Sequence, residues 1–358
     1  MIKIVTDFKS ELDEIKKSRE LILGGEIAQK VRAIVEDVRI NGDKALFKYT
    51  KEFDGVDIDQ SNVEVTESEI AEAYNQVDGK TLASLRLAIE NISSYQEDLI
   101  KKAVKGEYLK DRGYAVRPIE KAGIYVPGGT AAYPSSVLMT AIPAVAAGVR
   151  QIIMVTPAKE KINPLTLVAA AECGVDRIFK IGGAQSIAAL AYGTESIPKV
   201  DIIAGPGNIY VTLAKKEVFG AVGIDMLAGP SEILIIADKT ARADYIACDM
   251  LSQAEHDTKA ASFLITDSKE LAEKVQVEIE NRLKKLDRED IARQSIENNG
   301  RIFVVESILT AVMIANEIAP EHLEILVSAP ELYLPFISNA GAVFIGEYSP
   351  EPLGGYLA

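Results

Sequence analysis

Apolar positions change their spacing along this chain of 358 residues. From about residue 10 to 105 they recur three and four apart among charged residues, as in Glu26 to Lys48 and Glu67 to Leu99. That spacing predicts amphipathic helices. Asn41-Gly42-Asp43 and Asp54-Gly55 mark turns within this stretch, and nothing in it looks catalytic. From Gly123 onward, short continuous apolar runs alternate with helical runs rich in alanine. The predicted strands are Gly123 to Val126, Gln151 to Thr156, Arg177 to Ile181 and Val200 to Ala204. Helices are predicted between them over Ser135 to Val149, Pro164 to Cys173 and Gln185 to Tyr192. A second series follows: Glu232 to Ala237, Ser262 to Thr266, Ile302 to Val305, Leu323 to Val327 and Ala342 to Ile345.

Apolar strands alternating with helices imply βαβ units and buried parallel sheets. The expected fold is therefore α/β, with two Rossmann-like modules, parallel-rich sheets and a helical N-terminal segment. Ala228-Gly229-Pro230-Ser231 is a sharp break between the two series. The domain reading that follows has three parts: an N-terminal arm over 1–20, a discontinuous α/β domain from 21–120 plus 231–358, and an inserted α/β domain over 121–230.

Charge narrows the partners. With 39 basic and 53 acidic residues the formal net charge is -14, which argues against nucleic acid, since that partner wants a basic face. Cys173 and Cys248 are the only cysteines, too few for a disulfide framework. No apolar run has the length of a membrane span. The start, Met1 to Phe8, lacks the basic and apolar regions of a signal peptide. A cytoplasmic enzyme or binding protein is the expectation.

Three glycine-rich turns follow strands of the first series: Pro127-Gly128-Gly129, Gly182-Gly183-Ala184-Gln185 and Gly205-Pro206-Gly207-Asn208. Any one could be a tight turn with no ligand. Together they favour a nucleotide or other anion at the carboxyl ends of parallel strands. The chain has two histidines, each after a glutamate: His256 in Gln253-Ala254-Glu255-His256 and His322 in Pro320-Glu321-His322-Leu323-Glu324. Imidazole titrates nearest neutrality and is the commonest metal ligand. Gln253 and His256 are three apart, which suits two ligands on one helix face but also a plain solvated face.

These motifs, read together, resemble the histidinol dehydrogenase family. The resemblance is carried by Gly123-Ile124-Tyr125-Val126-Pro127-Gly128-Gly129, Gly182 to Gln185, Gly205 to Val211 and Ile224 to Glu232. It continues through Asp249 to His256 and Ala319 to Glu324, in the family's order and over nearly the whole chain. It implies a homodimeric zinc enzyme that uses NAD to oxidise L-histidinol to L-histidine through the aldehyde, the last step of histidine biosynthesis. By that resemblance Glu321 and His322 are the catalytic acid/base pair. Tyr125, Gln185 and Asn208 contact NAD, which makes 121–230 the NAD-contacting domain. Ser231, Gln253, His256 and His322 contact substrate, and Gln253 and His256 ligate zinc. The chain departs from the pattern at Leu353-Gly354-Gly355-Tyr356, where Gly355 stands in place of a zinc-ligand aspartate. The family's small C-terminal domain, with a further zinc-ligand histidine, is not represented before Ala358. An incomplete zinc site and weak turnover are the resulting expectations. A dehydrogenase for another small alcohol and a non-catalytic nucleotide-binding relative are the alternatives.

Overall fold

The computed structural model describes residues 1–22, 25–103, 116–128, 133–157, 161–227 and 229–356. Gly129 and Ala228, which belong to two of the turns above, lie outside them. The strands are β1 (Lys3–Val5), β2 (Lys121–Tyr125), β3 (Gln151–Val155), β4 (Arg177–Phe179), β5 (Ile202–Ala204) and β6 (Gly223–Ile224). They continue with β7 (Glu232–Ala237), β8 (Ala261–Thr266), β9 (Arg301–Val304), β10 (His322–Leu326) and β11 (Ala342–Ile345). The first helices are α1 (Phe8–Ile22), α2 (Gly25–Asp54), α3 (Glu67–Gln76), α4 (Gly79–Ala103), α5 (Pro134–Ala146), α6 (Pro164–Glu172) and α7 (Gly183–Tyr192). Then come α8 (Ile209–Val218), α9 (Ala243–Ala254), α10 (Lys269–Leu283), α11 (Glu289–Asn299), α12 (Ile308–Ile318) and α13 (Glu351–Tyr356).

All strand pairs in both sheets are parallel. One sheet runs β4-β3-β2-β5-β6 and the other β1-β9-β8-β7-β10-β11. Setting β1 aside, the two orders are the same: the first strand of each series is central, the next two lie on one side, the last two on the other. The expected strands are present to within a few residues. β1 and the two-residue β6 were not anticipated; each is too short to show a pattern.

The chain divides into two compact units, 22–228 with 355–358, and 1–21 with 229–354. The break after residue 228 falls where the sequence suggests it. The grouping of the helices does not. Residues 22–103 belong with β2–β6, not with 231–358, because their apolar stripes are buried there. Val31, Ile34 and Leu46 of α2 pack with Ile187 and Leu190 of α7 and with Ile153 and Val155 on one face of the sheet. Ala73 of α3 and Leu85 and Ile92 of α4 pack with α5, α6 and the opposite face, through Ile152 and Met154. Successive β3 residues thus feed two cores, as the pleat requires. Residues 1–20, expected as an N-terminal arm, pack against the second unit: β1 pairs with β9, and Leu12 of α1 joins its core. In α2 the helix bends at Gly42, whose φ of 52° is open to glycine; the Asn41-Gly42-Asp43 turn is this kink.

In the second unit, Leu323 and Ile325 of β10 face α12, with Leu234, Ile236 and Phe263. By alternation His322 and Glu324 point to the other face, which α9 and α10 cover. Among the described residues no helix is long and apolar enough to cross a membrane.

Candidate active site

Each unit contributes a separate set of polar groups. In the first, they sit at the carboxyl edge of β2–β6. Tyr125 ends β2, Gln185 is in the first turn of α7 after β4, and Asn208 caps α8 after β5. Tyr125 is buried, and burial pushes its phenol up to about 12, so it stays protonated. Its Oη accepts the Gly183 N–H at 3.3 Å. Asn208 Oδ1 accepts the N–H groups of Tyr210 and Val211, an N-cap that leaves its Nδ2 uncommitted to the backbone. Gln185 is 1% exposed, and neither Oε1 nor Nε2 has a hydrogen-bond partner. A buried amide with both ends unsatisfied costs roughly 1–3 kcal/mol per group. Its two ends call for partners from outside the chain, an ordered water or a ligand.

In the second unit the candidates lie at the amino edge of the sheet. Ser231 precedes β7, Glu321 precedes β10 and His322 opens it, while Gln253 is in the last turn of α9. His322 Nδ1 is 3.0 Å from Gln253 Oε1. With the amide oxygen facing the ring, Nδ1 carries the proton and Nε2 is left as the acceptor, an assignment that follows from how the amide is placed. Nε2 is 3.9 Å from Glu351 Oε1, and the ring meets Phe344 edge-on at 6.2 Å. Gln253 and His322 are thus brought together. Glu321 is not paired with His322: its Oε2 accepts the Glu232 N–H at 3.4 Å, across on β7. His256 lies on the exposed surface just past α9, its carbonyl accepting from Arg288. Among the described residues no side-chain hydrogen bond joins His256 or Ser231 to the His322 group.

Sequence reasoning missed the carboxyls behind His322. Glu324 is 1% exposed, and its Oε1 accepts the Glu351 N–H at 3.2 Å. Its Oε2 is buried without a donor, and its neighbour is the carboxyl of Asp249 on α9. Burial and that neighbour push Glu324 up to about 9, and burial pushes Asp249 up to about 6. Two adjacent buried carboxyls cannot both ionise, so the pair retains a proton near neutrality. The signals were a glutamate inside an apolar strand, two residues after His322, and an aspartate one turn before Gln253.

The two expected cofactors fit differently. Gln185, Tyr125 and the glycine turns suit a dinucleotide. For zinc, Gln253 and His256 are two donors, and Gln253 Oε1 is turned to His322. Among the described residues no group of three or more His, Cys, Asp or Glu side chains is arranged to hold a metal ion. Catalytic zinc normally takes three protein ligands, so these residues do not complete a site.

Comparison with known proteins agrees with the fold and with the family resemblance. The histidinol dehydrogenase family profile matches residues 18–358. A histidinol dehydrogenase of Bacillus thuringiensis subsp. konkukian is 53% identical over 99% of this chain and 83% of its own length. One from Lactococcus lactis subsp. lactis is 47% identical, covering 98% of the chain and 83% of the relative. The crystal structure of histidinol dehydrogenase from Elizabethkingia anophelis superposes with a TM-score of 0.90 at 36% identity, over 99% of this chain and 82% of that one. Methylmalonate-semialdehyde dehydrogenase from Oceanimonas doudoroffii shares only the fold, with a TM-score of 0.51 and 11% identity over 95% and 81% of the two chains.

Proposed function

The chain belongs to the histidinol dehydrogenase family, and on that premise we propose that it oxidises L-histidinol to L-histidine with NAD, through the aldehyde. The observation that carries the catalytic reading is the fixed imidazole of His322. Gln253 holds Nδ1, so Nε2 takes the hydroxyl proton as the alcohol is oxidised. Glu351, 3.9 Å from Nε2, stabilises the imidazolium that results. NAD, when bound, accepts a hydride at each of the two oxidations. Tyr125, Gln185 and Asn208 are the residues we assign to holding it. To Glu321, exposed just before β10, we assign the proton of the water that hydrates the aldehyde. Gln253 also lies at the carboxyl end of α9, where the helix dipole favours positive charge, which suits an amino alcohol bearing an imidazole.

The test is direct: the purified chain is given L-histidinol and NAD, and NADH and histidine are measured. Two NADH per histidine formed is the expected result; NADH binding without turnover would instead favour a nucleotide-binding relative. We also infer that zinc binds weakly, since Gln253 and His256 are the only assigned donors. Gly355→Asp supplies the carboxylate that the family resemblance places at that position. Metal analysis should show more zinc in Gly355→Asp than in the unaltered chain; stoichiometric zinc in the latter overturns the inference. A homodimer located in the cytoplasm completes this reading, with light scattering as the check on the dimer.

A further inference from the structure

The most deeply buried lysine of the described residues serves no core and no surface. Lys215, on α8, is 2% exposed. Its Nζ donates to the Gly205 carbonyl at 3.1 Å and forms an ion pair with Asp225, which follows β6. Asp225 Oδ2 in turn accepts the Gly205 N–H at 2.8 Å, and Oδ1 accepts the Met226 N–H at 2.6 Å. Both backbone polar groups of one glycine are therefore taken by one ion pair. Gly205 has a φ of 118°, and a Cβ there would collide with the Tyr125 carbonyl. No other residue type fits this turn, and without outside partners the turn has no reason to hold that conformation.

A buried ion pair is weak evidence of stability, because desolvation offsets most of the attraction. An apolar residue at 215 would fill the space as well. What the pair supplies is one defined path for the chain between β5 and α8. That path presses Gly205 on Tyr125 and sets where Asn208 begins the helix.

We propose that Lys215 and Asp225 are positioning residues for the dinucleotide, clamping Gly205 so that Tyr125 and Asn208 are presented together at the carboxyl edge of β2 and β5. The proposal rests on the assignment of NAD to that edge. It is independent of zinc and of His322.

The experiment is NADH binding to the 358-residue chain, followed by nicotinamide fluorescence, with amide hydrogen exchange at Gly205 as a second readout. The variants are Lys215→Met, Asp225→Asn and the two together, with Leu46→Ala on α2 as a control that destabilises the same core while leaving both members of the ion pair in place. Lys215→Met should weaken NADH binding about tenfold or more and speed exchange at Gly205. Asp225→Asn is the milder variant and should do the same if Lys215→Met does not fold. The double variant should lose no more than the worse single one, because the pair acts as one clamp. Leu46→Ala should lower the unfolding midpoint and leave NADH affinity within twofold. If the unaltered chain does not bind NADH, the cofactor assignment falls and this proposal with it. If it binds NADH and both single variants bind equally well, the proposal alone falls. It falls too if Leu46→Ala weakens binding as much as they do.

Discussion

In the five-stranded sheet the polar groups gather at the carboxyl edge, whereas in the six-stranded sheet, with the same order of its five main strands, they gather at the amino edge. The first arrangement follows a general rule of open parallel sheets: strand ends, glycine turns and helix N-termini offer N–H groups to an anion. The second does not. At the amino edge helices end, and their carbonyls and dipoles favour cations. A site there must be built from side chains, and His322, Gln253 and Glu351 are what the chain supplies. The same topology can therefore hold an anionic dinucleotide at one edge and a proton-accepting site at the other, the difference lying in which helix terminus is used.

The largest expected effect separates the two edges outright. His322→Asn keeps a polar side chain but removes the group that takes the proton. In a chain with a restored zinc site it should lower histidinol turnover roughly 10²- to 10⁴-fold, the usual range for general acid–base catalysis. NADH affinity should be unchanged. A variant with normal turnover shows that the proton goes elsewhere; one that loses NADH binding breaks the division of labour.

Gln185→Leu probes the other edge. It removes the two unsatisfied amide groups, so the folded chain should be as stable or slightly more so. NADH binding should weaken by about 5- to 100-fold, the worth of one or two hydrogen bonds made to a buried partner. Equal affinity would mean that the amide is a structural orphan and not a cofactor contact.

How far this contrast was legible in the sequence differs between the edges. At the carboxyl edge, glycine turns after apolar runs announce it, since only glycine allows the Gly205 conformation. At the amino edge the histidines could be found because they are so few, but not their arrangement. His256 and Gln253 share a helix spacing, yet Gln253 contacts His322, 69 residues away. That pairing depends on β7 and β10 being neighbours, a matter of sheet order that no local spacing encodes. The same reason explains α2, α3 and α4. Their apolar stripes were plain, but a stripe says that a face is buried and not which sheet covers it. Glu324 was legible as an oddity in an apolar strand and Asp249 as an aspartate one turn before Gln253; that the two are neighbours was not, for want of the fold.

Glu324→Gln sharpens the electrostatic side of the amino edge. Burial and the neighbouring Asp249 carboxyl raise the folded-state pKa of Glu324 to about 9, far above the usual carboxylate range. A raised pKa means that the folded chain holds a proton that the unfolded chain has released. Its stabilising contribution is full below the unfolded value and is lost as pH rises towards the folded one. The slope is about 1.4 kcal/mol per pH unit for each proton retained. Glutamine is neutral throughout and keeps an oxygen for the Glu351 N–H. Denaturant unfolding at a series of pH values should show the unaltered chain losing stability between about pH 4.5 and 9, and the variant losing less. Parallel curves would mean that the pair ionises freely.

The smallest effect expected is at Asn208, where cap and contact can be pulled apart. Its Oδ1 caps α8, and Nδ2 is the group left for a ligand. Asn208→Asp keeps the oxygen, and aspartate is as good a cap, helped by the dipole at the helix start. Thermal unfolding should therefore be unchanged or slightly raised. Nδ2 is lost, and a carboxylate now faces the place assigned to an anionic cofactor, so NADH should bind about 2- to 10-fold more weakly, the worth of one hydrogen bond. Asn208→Ala should lose both, with about 1 kcal/mol of stability going with the cap. If Asn208→Asp binds NADH as tightly as the unaltered chain while Asn208→Ala does not, the residue acts only by starting the helix. The carboxyl edge would then present its ligand to Tyr125, Gln185 and the backbone alone.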